Sequence, residues 1–428
     1  MHPSGGVERT VKAFRPRGVF KSVNPCCCGK RPPPVALLLR ALVGLVLLLI
    51  SVKVPAQVTG KASATGQFES NSNVFDLNSG TPLPTGGDSH RGDTFFAYGA
   101  QFDLNYLWGK QQFFASAGTT EFDYQRFTQL DHEDYRLDAG MKWTLDQLLD
   151  GKIDIRRVRT MVPFYDLAGT VLSLQTEQRE SAEAGIKVTS QWRIEGAAYT
   201  SKLDEPLPEE PSLSLTETSG KITVKYLGTS RFTGGWYVSY TSGSYEGDTG
   251  ANPSYHEYGS GVQTTYASPR STFDGQVGYA RRISTSGANN TSGLTGQIKF
   301  KEQLTAKTNV AVIIGRAIQN YVLNAGSEID TSAGVTAEWQ ASYKLAVTLG
   351  YTYTYRNYPG QGNDPIGSDR IDHQQYATLG VEYRPLRWLV IKPYGNLQRR
   401  NSDYIGGDFS STVFGLYFTL RTPDRPLQ

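Results

Sequence analysis

The sequence predicts an all-β protein, a transmembrane antiparallel up-and-down β-barrel of about 18 strands, with 16 as the alternative. Three observations support this fold: apolar and polar residues alternate with a period of two, tight turns alternate with long polar loops, and a secretory signal precedes the first alternating segment. A period of two is typical of strands with one apolar face. Mean hydropathy is −0.40, as expected where only alternate residues face lipid.

Residues 1–56 have the features of a basic leader and signal peptide. Basic residues precede the apolar run 35–50, and Val54 and Ala56 form a small-residue cleavage pattern. We expect cleavage between Ala56 and Gln57, which leaves 57–428 as the barrel. The basic part is longer than usual, which indicates either a real extension or a start codon assigned too far upstream.

Charge and cysteine content exclude several classes of function. The leader holds nine of the 43 basic residues and one of the 40 acids, so residues 57–428 carry a net charge of −5. Nucleic acid is therefore not an expected partner. All three cysteines precede the apolar run, so the mature chain would have no disulfide, thiolate metal site or cysteine nucleophile.

The segment 344–362 shows the alternation most clearly. Leu345, Val347 and Leu349 are followed on the same face by Tyr351, Tyr353 and Tyr355. Tyrosine suits the membrane interface, so this face is predicted to contact lipid and the opposite face water. Similar alternation recurs over 96–108, 135–143, 232–240, 294–301 and 413–420. The weakest strands are 171–185 and 214–226, and without them the count would be 16.

The connections predict how the barrel sits in the membrane. Tight turns alternate with long loops rich in Gly, Asn, Asp and Pro, which is the periplasmic and extracellular pattern of outer-membrane barrels. An even strand number places both termini in the periplasm. The tryptophans mostly fall near tight turns, which predicts a periplasmic girdle. Expected partners are outer-membrane lipid and lipopolysaccharide.

The inner face is the predicted place of function. On the predicted register, basic residues there outnumber acids about two to one, which favours anions. The alternative is that these charges pair with one another and hold water. Interior tyrosines could stack on sugar rings or pack locally. The candidate lumen-binding residues are Arg136, Lys142, Arg156, Arg231, Arg282, Lys299, Lys301, Lys344, Arg356 and Lys392.

The residue inventory does not favour an enzyme. Four histidines follow the leader, His90, His132, His256 and His373, and they lie in separate places in or beside predicted loops. No spacing singles out a Ser–His–acid arrangement, and a solvated loop explains the acids around His132 better than a metal site. We predict no catalytic residue, no metal and no cofactor.

Four segments resemble a known family, the β-barrel porins tied to exopolysaccharide operons. The resemblance is greatest to the EpsL-type subset found beside exosortase-linked clusters, although the chain continues past Leu420 where many such barrels end on an aromatic residue. The segments are GQFESNSNVFD (66–76), YQRFTQLDHEDYRLDAGMKW (124–143), RESAEAGIKVTSQWRIEGA (179–197) and VKYLGTSRFTGGWYVSYTSGSY (224–245).

This resemblance implies an outer-membrane barrel that takes part in exopolysaccharide biosynthesis or export, as a conduit or accessory pore. Acidic polysaccharide and the export machinery would then be partners. One alternative is a general diffusion porin or solute channel. The other is a structural or adhesive surface barrel whose loops carry the function.

Overall fold

A computed structural model describes residues 58–83, 90–166, 170–206, 213–246, 254–285, 290–320, 327–359 and 369–422. Within these ranges, 18 strands form one antiparallel sheet in sequence order. The sheet is closed because β1 (Val58–Asn71) also pairs with β18 (Phe409–Arg421). The predicted 18-stranded up-and-down barrel is therefore confirmed. The predicted leader and the cleavage site at Ala56 and Gln57 lie outside the described residues.

The remaining strands are mostly 13–17 residues long, and two short 3-10 helices, Thr128–Leu130 and Phe164–Asp166, follow β3 and β5. The strand bounds are β2 Asp93–Trp108, β3 Gln111–Tyr124, β4 His132–Leu145, β5 Leu149–Met161, β6 Leu174–Lys187, β7 Trp192–Glu205, β8 Leu213–Leu227, β9 Phe232–Tyr245, β10 Tyr255–Ala267, β11 Ser271–Ser284, β12 Thr291–Thr305, β13 Thr308–Asn320, β14 Ser327–Ser342, β15 Leu345–Tyr358, β16 Arg370–Leu386 and β17 Leu389–Ser402.

The two segments with the weakest alternation are strands β6 and β8, each paired on both sides. Their outer faces carry small or polar residues such as Ala182, Ala184, Thr218 and Gly220, which hides the alternation in the sequence. The 16-strand alternative is therefore wrong.

Short and long connections alternate around the barrel. Every connection that follows an even-numbered strand is a short turn, and connections after odd-numbered strands are generally longer. We call the two rims the short-turn end and the long-loop end. The first and last strands begin and finish at the short-turn end, at Val58 and Arg421. No helix among the described residues is both long and apolar enough to cross a membrane.

The outer face is apolar and bounded by aromatic residues. Trp108, Trp143, Trp192, Trp236 and Trp339 face outward within four residues of the short-turn strand ends, and Trp388 lies in a short turn. Aliphatic side chains occupy the middle of the outer face, where Leu349 is 58% exposed. Exposed aliphatic residues between aromatic girdles are the arrangement of a barrel embedded in lipid.

Candidate functional site in the barrel lumen

Long-range side-chain contacts identify the inner face. The Lys221 ammonium on β8 reaches the Gln276 side chain on β11 at 2.8 Å, and the Tyr394 hydroxyl on β17 accepts a hydrogen bond from the Gln67 amide on β1 at 2.7 Å. Side chains can meet over intervening strands only on the concave side of a closed sheet. Residues directly opposite on neighbouring strands share a face, so these contacts assign the whole register.

Eight of the ten predicted lumen residues lie on the inner face of strands. The binding role of these residues stays a prediction. They are Arg136, Lys142, Arg156, Arg282, Lys299, Lys301, Arg356 and Lys392.

The predicted inward strand positions of Arg231 and Lys344 are wrong, because both residues lie in turns. Arg231 lies in the turn between β8 and β9, where the Thr229 hydroxyl accepts a hydrogen bond from the Arg231 backbone N–H at 3.2 Å. Lys344 lies in the turn between β14 and β15, where its backbone N–H donates to the Ser342 hydroxyl at 3.2 Å. Ser and Thr hydroxyls that bond to nearby backbone groups favour turns over strand pairing. The apolar and polar alternation continues past the strand ends into these turns, which is why alternation alone places both residues on strands.

Ion pairs hold Arg282 and Arg356, two of the predicted lumen residues, against the wall and the loops. The Arg282 guanidinium donates to Glu257 on the neighbouring strand at 2.9 Å and to the Asn320 side chain at 2.7 Å, and it is buried. Arg356 lies 3.4 Å from the Asp330 carboxylate and 3.2 Å from the Asp166 carboxylate. These two side chains stabilise the wall and the loops rather than present a free charge to solute.

The expected two-to-one excess of inward bases is also wrong. Acids and bases are about equally numerous on the described inner face. Several acids near the long-loop strand ends are missed by sequence alternation because the pattern fades there. They are Glu69, Asp134, Glu177, Glu205, Glu217, Glu257, Glu328, Asp330 and Asp372, together with Asp150 near a short turn.

Inward lysines and arginines are distributed differently along the barrel axis. Toward the long-loop end, all the inward bases of the described strands are arginines, namely Arg136, Arg156, Arg179, Arg282, Arg356, Arg370 and Arg400. Every inward lysine lies toward the short-turn end. Lys142, Lys301 and Lys392 are exposed there, and Lys299 is half-buried.

An apolar cluster fills one side of the mouth at the long-loop end. Val74 and Phe75 from the β1–β2 loop pack with Phe127, Leu130 and Phe164 from the next two long connections. The rings of Phe75 and Phe127 are 4.7 Å apart, and those of Phe75 and Phe164 are 4.9 Å apart. Edge-to-face aromatic packing at these distances is favourable, so three loops form one folded cap inside the rim.

The β5–β6 loop crosses the mouth to the opposite wall. Its Asp166 pairs with Arg356 on β15, and the Tyr165 carbonyl accepts a hydrogen bond from Arg400 on β17 at 2.7 Å. The Tyr165 ring stacks on Phe409 of β18 at 6.2 Å. Since β15 is nine strands from β6 in a ring of eighteen, this loop spans the lumen and narrows it.

Buried carboxyl groups in the loops give the mouth a pH-sensitive charge. Burial raises the pKa of Asp76 to about 7, although the Arg400 guanidinium opposes the rise. Burial likewise raises the pKa of Asp166, against the opposing effect of Arg356. When the loops are packed in the mouth of the barrel, the carboxyl groups of Asp76 and Asp166 therefore bind a proton more readily than they do in water.

Most of the predicted sugar-stacking tyrosines are occupied by protein contacts. The Arg179 guanidinium lies 3.8 Å from the Tyr199 ring centroid, and Lys221 lies 4.3 Å from that of Tyr237, which is buried. Tyr394 is hydrogen-bonded to Gln67 and Glu69. Tyr376 keeps an exposed face, at 37%.

No group of three or more metal-ligating side chains gathers within the described residues. His132 is buried at the start of β4, and its Nδ1 lies 2.6 Å from the Leu130 carbonyl. The His256 and His373 rings are on the outer face, each bonded through Nδ1 to a tyrosine hydroxyl, at 2.9 Å and 2.6 Å. These histidines share no site.

The closed barrel, lipid-facing girdles and charged lumen define an outer-membrane, porin-like β-barrel. Residues 257–422 match the family model described as "Putative beta-barrel porin 2". The four segments that resemble exopolysaccharide-linked barrels lie outside this match. No curated protein matches the chain.

Solved structures that are similar to the chain include three proteins of low sequence identity. A BenF-like porin from Pseudomonas fluorescens Pf-5 is 11% identical, with 85% of this chain and 99% of that chain covered and a TM-score of 0.48. OccAB4 from Acinetobacter baumannii is 10% identical, with 86% and 100% covered and a TM-score of 0.47. OpdK from Pseudomonas aeruginosa, solved with vanillate, is 12% identical, with 85% and 99% covered and a TM-score of 0.45.

Proposed function

We propose that this protein is an outer-membrane channel for the diffusion of small hydrophilic solutes. The observation that carries the proposal is a charged lumen crossed at one end by the β5–β6 loop. A barrel of eighteen strands is wide enough for an aqueous channel. Ion pairing of Asp166 with Arg356 on the far wall limits what can pass.

The same loop favours small solutes over a polymer. A polysaccharide chain would have to displace a segment held by Arg356, Arg400 and the Phe409 ring. A small solute can pass beside it. The exopolysaccharide role rests on the sequence resemblance and stays a prediction.

The lysines at the short-turn end support a preference for anions. Many acids in this half already have basic partners: Asp150 bonds to Arg193 at 2.9 Å, and Asp154 to Lys152 at 2.6 Å. Lys142, Lys301 and Lys392 are exposed toward the lumen. Exposed ammonium groups in a wet pore attract anions, so we infer that chloride and small carboxylates pass more readily than cations.

Planar-bilayer recording with graded polyethylene glycols tests the channel. We expect discrete, persistently open conductance steps. Glycols of roughly 1 kDa or less should enter and lower the conductance, and larger ones should leave it unchanged. Entry of polymers of many kDa would contradict the proposal and favour a polysaccharide conduit. A folded barrel without conductance would favour the structural or adhesive alternative.

Charge reversal tests the selectivity. The triple variant Lys299→Glu, Lys301→Glu and Lys392→Glu should shift the reversal potential in a salt gradient from anion toward cation preference. Lys202→Glu is the matched control because Lys202 faces outward on β7, opposite Gln178. An unchanged reversal potential in the triple variant, with heat-modifiable gel mobility retained, would show that these lysines do not set selectivity.

A further inference from the structure

We propose that the outer face of β13–β17, at the long-loop end, binds the phosphate groups of outer-leaflet lipopolysaccharide. The register aligns one row of outward polar residues over five neighbouring strands. Arg399 also belongs to this row, because its Nε donates to the Asn401 side chain at 3.0 Å. We call the set the outer polar strip: Arg316, Thr331, Tyr355, His373, Asn401 and Arg399.

The strip presents hydrogen-bond donors suited to phosphate oxygens. One Arg316 nitrogen donates to the Thr331 hydroxyl at 2.7 Å, and the rest of the exposed guanidinium remains directed outward. A guanidinium has five N–H donors, and its fork matches the geometry of phosphate. Between the two arginines, His373 is held by the Tyr353 hydroxyl at 2.6 Å and by edge-on packing of Tyr355 at 5.4 Å. Charged hydrogen bonds to phosphate are stronger than neutral ones.

The surface below the strip suits acyl chains. On the same strands, toward the short-turn end, the outer face carries Ile314, Leu349, Leu379 and Leu397, which are 47%, 58%, 51% and 58% exposed. A row of cationic and hydroxyl groups directly above exposed aliphatic residues matches a lipid with a phosphorylated headgroup. The two parts lie on one continuous wall, so one lipid could contact both.

Outward charges are distributed unevenly around the barrel. Outward carboxylates at the long-loop end lie on β3–β7, at Glu121, Asp123, Glu133, Glu180 and Asp204. On the described strands β8–β18, the only side-chain carboxylate that faces outward is that of Glu302, near the short-turn end. An anionic headgroup at the strip therefore meets no repelling acid on those strands. Lipopolysaccharide is the anionic lipid expected at the long-loop end, on the extracellular side.

Native mass spectrometry of the detergent-purified barrel tests the proposal with purified lipid A as the probe. Wild-type protein should retain lipid A, and the double variant Arg316→Gln, Arg399→Gln should bind it at least about tenfold more weakly, because two charged hydrogen-bond donors are lost. Enzymatically dephosphorylated lipid A should bind all variants equally weakly. Inorganic phosphate at millimolar concentration should not displace lipid A, because the acyl chains also contact the aliphatic surface of the barrel.

Arg157→Gln with Arg159→Gln is the matched control. These arginines face outward on β5 toward the same end of the barrel, but their strand lies among those that carry the outward acids. The control should bind lipid A as the wild type does. Equal binding by the strip variant, or equal loss in the control, would overturn the proposal. A protein dimer that disappears in the strip variant would assign the strip to a second copy and would also overturn it.

Discussion

Arginine is the inward base at the long-loop end, whereas lysine is confined to the short-turn half, because the two side chains differ in physical properties. Arginine presents a planar fork of donors and tolerates partial burial, which suits ion pairs that hold loops in place. Arg356, Arg370 and Arg400 all contact acids at the crowded mouth. Lysine is strongly hydrated, and Lys301 and Lys392 lie exposed in the wider, wetter half.

Asp76 predicts how the mouth responds to pH. Its pKa is raised to about 7 by burial, so the seated loop binds a proton more readily than the released loop does. The stabilisation is full below the ordinary aspartate pKa near 4 and is lost as the pH rises through about 7. Amide hydrogen exchange over residues 72–80 should therefore be slower at pH 5 than at pH 8, beyond the intrinsic chemical effect.

Asp76→Asn should largely abolish this difference and give slow exchange at both pH values. Asn also tolerates the left-handed backbone at this position, where φ is 49°. Asp103→Asn is the control, because Asp103 lies on the inner wall of β2, bonded to the Ser116 hydroxyl, away from the loops. If Asp76→Asn keeps the full pH dependence, another group controls the loop.

At the scale of a strand, β15 shows how closely the alternation of apolar and polar residues matches the side of the barrel wall on which each side chain lies. Leu349 is 58% exposed toward lipid, whereas the next residue inward, Thr348, lies opposite Glu338 and Gly380 on the lumen side. The tyrosines at 351, 353 and 355 continue the outer row toward the long-loop rim. One strand thus carries part of a lipid surface, an aromatic edge and a pore wall.

Leu349→Arg should therefore impair folding into lipid vesicles far more than Thr348→Arg. A basic residue on the lipid face near the midplane costs about 2–4 kcal/mol and much less elsewhere, and an arginine at 348 would lie opposite Glu338. Urea titrations followed by heat-modifiable gel mobility measure the free energy of folding. Similar losses for both variants would contradict the register of β15.

At the scale of the whole molecule, closure of the sheet explains how residues 57–428, which contain no cysteine, form a stable fold without a disulfide. Pairing of β1 with β18 leaves the described sheet without an edge strand. In a bilayer, every backbone N–H and C=O group must find a partner within the protein, and a closed barrel satisfies that requirement. The disulfide bonds that stabilise many small exported proteins are then unnecessary.

Maturation can be tested on the whole molecule. Because the apolar run ends shortly before Val54 and Ala56, we expect the mature protein in the outer-membrane fraction to begin at Gln57. Intact-mass measurement and N-terminal peptide sequencing would show this. An Ala56→Leu variant should accumulate as uncleaved precursor, because a large residue is disfavoured at the cleavage site. A mature chain that retains Cys26–Cys28 would exclude the proposed cleavage.

The sequence by itself determined the fold class and the outer face, and it left the strand number at about 18 or 16. These features follow from local geometry, since side chains alternate sides along any strand and turn residues mark its ends. For that reason the sequence alone predicts the outward row from Leu345 to Tyr355 and the inward positions of Lys299 and Lys301. Register errors arose only at turns, as for Arg231 and Lys344.

Only the tertiary structure decided which charges are free and where the lumen narrows. Asp166 and Arg356 are 190 positions apart in the chain, and Tyr165 and Arg400 are 235 apart. They meet because eighteen strands close into a ring and a loop folds across it. The outer polar strip likewise depends on the stagger of five strands. Periodicity describes each strand separately, whereas ion pairing and burial depend on distances that exist only after closure.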